Sequence, residues 1–159
     1  MNLEVNIPFT TDEGNRYVLE FSLSEDANDF VEIPVVEVAI SLKKRVANTN
    51  STKVFNFIIE QIRDYMAARE VILYYYCDSS DIYYRNTAKR RFTSPQHFRS
   101  VFFSALFKKA HTNLLIEEQK IDDEIHGNHY LAFIYDERHK EYVKQLVKEL
   151  EDYQNKKHQ

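Results

Sequence analysis

The chain has 159 residues, 43% hydrophobic, 14% aromatic and 29% charged, with a formal net charge of −4. That much apolar and aromatic material excludes intrinsic disorder, and no run approaches the ~20 apolar residues of a membrane-spanning helix. The single cysteine, Cys77, leaves no internal disulfide, which favours a reducing, cytoplasmic setting.

The length suits one domain, expected over residues 1–154 with a frayed tail at 155–159. Met1-Asn2-Leu3-Glu4 lacks the basic start of a signal peptide. With 2 Gly and 3 Pro, most of the chain should lie in regular elements.

Leu3, Val5 and Ile7 alternate with polar residues or Pro8, the period of a half-buried strand. Asp12-Glu13-Gly14-Asn15 reads as a turn. A second strand follows, with Tyr17, Leu19, Phe21 and Leu23 on one face. A third strand is expected from about Val31 to Leu42, with Pro34 at an edge or bulge. Together these predict an antiparallel meander with one wet face.

The period then changes. Phe55, Ile58, Ile59, Ile62, Tyr65 and Met66 recur at helical spacing. Val71–Cys77 is apolar at every position and rich in β-branched and aromatic residues, which predicts a central strand. A helix over Ile82–Arg91 has a thin apolar stripe. Ser94-Pro95 is a cleaner helix start, with Ser as N-cap, followed by Phe98, Val101, Phe102, Ala105 and Leu106 on one face. Leu114–Ile125 and Tyr130–Tyr135 predict a strand pair around His126-Gly127-Asn128-His129. Tyr142, Val143, Leu146, Val147 and Leu150 predict a last helix. The order βββ-α-β-α-α-ββ-α indicates an α+β fold, a mainly antiparallel sheet with helices packed on one face.

Two features carry possible chemistry. Asp78-Ser79-Ser80-Asp81 follows the central strand, at the carboxyl end where ligands often bind. In one reading Asp78 and Asp81 hold a divalent cation or act as base, Arg85 neutralises developing charge, and the substrate is phosphorylated or a nucleotide. In the other, Ser79 or Ser80 caps a helix and Asp81 complements its dipole.

The second feature is a 35-residue stretch, Ile82–Ile116, without Asp or Glu. It contains Arg85, Lys89, Arg90, Arg91, Arg99, Lys108 and Lys109, a local charge of +7, interleaved with Tyr83, Tyr84, Phe92, Phe98, Phe102, Phe103 and Phe107. Cations among aromatics suit a phosphate backbone and stacked bases, and equally an acidic protein partner. Helical spacing also fits phenylalanines in the core with the cations on the solvated face. The pI of about 5.9 argues against a dedicated nucleic-acid coater.

Weaker signals read as structure. His126 and His129 fit a solvated hairpin tip, and Cys77 a buried, inert thiol. Glu117, Glu118, Asp122, Asp123 and Glu124 fit the wet edge of the hairpin, able to pair with the basic stretch of the same chain or another copy. No Gly-rich phosphate loop, nucleophile elbow or zinc-ligand spacing is present, so no cofactor or metal is assigned.

Cys77-Asp78-Ser79-Ser80-Asp81, followed by Arg85-Asn86 and Arg91-Phe92 after a meander, a helix and an apolar strand, resembles a family of small bacterial α+β proteins of unknown function. The chain departs from that pattern at Ile82-Tyr83-Tyr84 and between Phe92 and Ser94-Pro95. The resemblance implies that Asp78, Asp81, Arg85, Asn86 and Arg91 act as a unit; it transfers no activity.

The expectation is therefore an intracellular binding or regulatory module without a membrane segment. Its binding residues would be Ser79, Ser80, Arg85, Asn86, Lys89, Arg90 and Arg91, against nucleic acid or an acidic protein. The alternatives are the metal-dependent enzyme centred on Asp78, Asp81 and Arg85, and a structural subunit that pairs edge strands in a homo-oligomer.

Overall fold

Alternating apolar residues near both ends of the chain and a continuous apolar run in its middle build one six-stranded sheet. The computed structural model describes residues 2–24, 27, 30–47, 51–77, 93–110, 113–122, 124–125 and 128–157. In chain order the elements are β1 (Val5–Thr10), β2 (Arg16–Leu23), β3 (Val35–Lys44), α1 (Ser51–Ala67), β4 (Ile72–Cys77), α2 (Pro95–Lys109), β5 (Leu115–Ile121) and β6 (His129–Tyr135). A 3-10 turn, Glu137–His139, then leads into α3 (Lys140–Lys157). The expected helix over Ile82–Arg91 lies outside the described residues.

The sheet order is β1-β2-β3-β4-β6-β5. Every pair is antiparallel except β3 and β4, which run parallel. The fold is α+β with a mostly antiparallel sheet, and β1 to β3 form the expected meander. The third strand starts later than its apolar pattern suggests. Pro34 precedes it, and the Pro34 carbonyl accepts from the Ile72 amide at 3.0 Å, setting the start of the parallel pair. Val31 and Ile33 lie outside the strand and serve the core instead.

β4 supplies both faces of the core. Leu73 and Tyr75 point to one side, where they meet Val36, Val38, Leu19 and Phe21 of the meander, the apolar stripe of α1, and Phe98, Phe103 and Phe107 of α2. Ile72 points to the other side and packs with Val35, Leu131, Phe133, Tyr135, and Val143 and Leu146 of α3. Side chains of α1 and α2 thus cluster with Leu73 and Tyr75, and those of α3 with Ile72. A strand that is apolar at every position needs cover on both sides. Tyr75 stacks on Phe103 with centroids 4.4 Å apart, tying the strand to α2. Such a pair adds about 1 kcal/mol beyond the area it buries.

Two side chains fasten the meander. Gly14 takes a φ of 96° in the β1–β2 turn, a conformation that suits glycine. Next to it Asn15, 1% exposed, accepts from the Val46 and Ala47 amides at 2.6 and 3.0 Å and donates to the Ala47 carbonyl at 2.7 Å. On α1, the Tyr65 hydroxyl donates to the Leu3 carbonyl at 2.7 Å, its ring stacks on Phe21 at 4.0 Å, and Arg69 lies over it at 4.1 Å.

Replacing Asn15 by Ala strands three backbone partners at a part-buried site. Urea denaturation should show a loss of about 2–3 kcal/mol. Burial raises the pKa of Tyr65 above its ordinary value of 10.0. Its contribution to stability is complete below pH 10 and is lost as pH rises through the folded-state value, because the folded chain holds that proton longer than the unfolded one. Tyr65→Phe should therefore fold less stably at neutral pH and show a flatter decline in stability above pH 10.

Candidate functional site

The carboxyl end of β4 is enclosed by two histidine–tyrosine pairs, one on each face of the sheet. Cys77, the last residue of the strand, pairs with Tyr130 of β6. The Tyr130 ring belongs to the α1/α2 side and stacks on His97 of α2, with centroids 5.3 Å apart and planes 23° apart. On the α3 side the Tyr76 hydroxyl lies 2.5 Å from Nδ1 of His129.

Local sequence explains how α2 is placed. Ser94 adopts an extended conformation and its hydroxyl accepts from the His97 amide at 3.2 Å, with Pro95 in the first helical position. The Thr93 amide donates to Nδ1 of His97 at 3.1 Å, so neutral His97 carries its proton on Nε2. Gln96, buried, donates from Nε2 to the Asn128 carbonyl at 3.0 Å. The first turn of α2 is thereby fixed to the start of β6.

These contacts set the frame for residues 78–92. That segment departs from Cys77, which pairs with Tyr130, and returns at Thr93, bonded to the histidine stacked on the same tyrosine. Asp78, Ser79, Ser80, Asp81, Arg85, Asn86, Lys89, Arg90 and Arg91 all belong to it and lie outside the described residues, as do His126 and Gly127. The structure brings together the two ends of the candidate segment.

The described half of the basic stretch differs from an aromatic binding surface. Phe98, Phe103 and Phe107 are buried in the core, with Phe102 packed against them. Arg99 is only 8% exposed. Lys108 reaches Glu118 on β5 at 3.4 Å, so one residue of the acidic run does pair with the basic stretch of the same chain. Helical spacing had already marked these phenylalanines as core candidates, and burial decides for that reading.

Sequence reasoning missed the histidine–tyrosine pairs. His129 is not at a hairpin tip; it opens β6 and bonds to Tyr76 across the sheet. Only the β4–β6 register brings residues 76 and 129 together, and no local pattern encodes that register. Among the described residues, no three His, Cys, Asp or Glu side chains cluster as a metal site requires. No helix among them is long and apolar enough to cross a membrane.

No protein-family model, curated protein or solved structure matches the chain.

Ser94→Ala should cost about 1 kcal/mol in urea denaturation through loss of the N-cap, and Ser94→Gly only a few tenths.

Proposed function

We propose that the protein is an intracellular binding or regulatory module whose basic segment engages a polyanionic partner, a nucleic acid or an acidic protein. The observation that carries this reading is the run from Ile82 to Ile116 without a carboxylate. Because the α2 phenylalanines serve the core, the weight rests on Arg85, Lys89, Arg90 and Arg91, with Ser79, Ser80 and Asn86 as polar contacts. The residues that flank the segment support it: Cys77 pairs with Tyr130, and Thr93 bonds to the His97 that stacks on the same tyrosine. Asp78 and Asp81 would then position the arginines as a unit, in keeping with the family resemblance. The lone cysteine fits a reducing cytoplasm.

The test is Arg90→Ala with Arg91→Ala, assayed against single-stranded oligonucleotides and against an acidic peptide over a range of salt. Oligonucleotide binding by the wild type should weaken with salt. In the double variant, affinity should fall and the slope of log K against log salt should become shallower by about 1.5. Salt-dependent binding of the peptide alone would select the protein partner. Unchanged affinity and slope in the double variant would refute the proposal.

A further inference from the structure

The two edges of the sheet differ in their capacity to accept another strand. β1 contains Pro8, which has no amide hydrogen to donate. β5 has none, and among the described residues nothing pairs with its outer edge. Two apolar features flank that edge. Where β5 begins, a hollow of about 340 Å³ is lined by Phe107, Lys108, Leu114, Leu115 and Ile116. Just beyond its end, Ile125 is 86% exposed.

We propose that β5 pairs antiparallel with β5 of a second copy about a two-fold axis at Gln119, with Ile125 of each chain entering the hollow of the other. A two-fold normal to the sheet keeps each face on its own side, so residues of like parity must oppose one another. Centring on Glu117 or Glu118 sets carboxylate against carboxylate, and centring on Lys120 sets ammonium against ammonium. Centring on Gln119 places Glu118 opposite the second copy's Lys120, twice, with the two Gln119 amides facing each other.

In that register the second copy's turn residues Glu124 and Ile125, just past the end of its β5, lie towards the start of β5. By the same count its Ile125 comes closest to Asn113, next to Leu114 at the mouth of the hollow. Glu118 and Lys120 already have exposed partners in Lys108 and Asp122, at 3.4 and 3.5 Å. Exposed pairs of this kind stabilise little, so the charges select the register, while strand hydrogen bonds and burial of Ile125 hold the dimer. A contact of one short strand and two side chains is smaller than the ~1,200 Å² typical of stable complexes, so association is concentration-dependent.

The experiment is sedimentation equilibrium of the full chain over a wide concentration range, with circular dichroism to verify folding. The wild type should rise from 19.0 kDa towards twice that mass. Ile125→Glu should stay monomeric. Glu118→Lys and Lys120→Glu should each stay monomeric alone, yet form a heterodimer when mixed, because every cross-strand pair then regains opposite charges. A wild type that remains monomeric at the highest concentration would overturn the proposal. So would a dimer that survives Ile125→Glu, or a mixture that fails to recombine.

Discussion

The organising constraint is that β4 needs apolar cover on both faces. Each of its residues carries an apolar or aromatic side chain, and alternation along a strand sends them to opposite sides. One set is covered by α1 and α2, the other by α3. Parallel pairing with β3 follows from the same demand: two parallel strands need a crossover, and α1 both supplies it and roofs the sheet. The meander can keep one face wet because its strands carry polar residues at alternate positions, and α3 lies over the β4–β6 half.

The described residues that flank the candidate segment derive their positions from this core. Cys77 ends the strand that lies between β3 and β6 in the sheet, and α2 is held by Tyr75–Phe103 stacking, the Ser94 cap and the Gln96–Asn128 bond. The described residues on either side of 78–92, Cys77 and Thr93, are thus both tied to the core of the sheet. The His97–Tyr130 and Tyr76–His129 pairs add polar atoms and aromatic faces at that place, on opposite sides of the sheet.

Charge is distributed unevenly over this frame. Cations concentrate between β4 and the end of α2, whereas the hairpin that follows is acidic. Lys108–Glu118 is one place where the two regions meet within the chain. The mixed signs on β5 discourage most strand additions, as charges on an edge generally do, and leave one symmetric register in which they attract.

Elements with a local period were legible in the residues alone. The β1–β3 alternation, the helical stripe of α1, the continuous apolar run of β4 and the Ser94-Pro95 start of α2 are all short-range patterns, because side-chain direction repeats every 2 or 3.6 residues. What joins distant residues was not legible: the parallel pairing of β3 with β4, the burial of α3 on the second face, the late start of β3 after Pro34, and the meeting of Tyr76 with His129. Each depends on strand order and register, which are settled by how the whole apolar surface can be buried. Residue type placed the basic segment after β4. Only the tertiary structure anchored both its ends beside Tyr130 and drew the α2 phenylalanines into the core, because burying those rings removes more apolar area from water than any exposed stacking surface would.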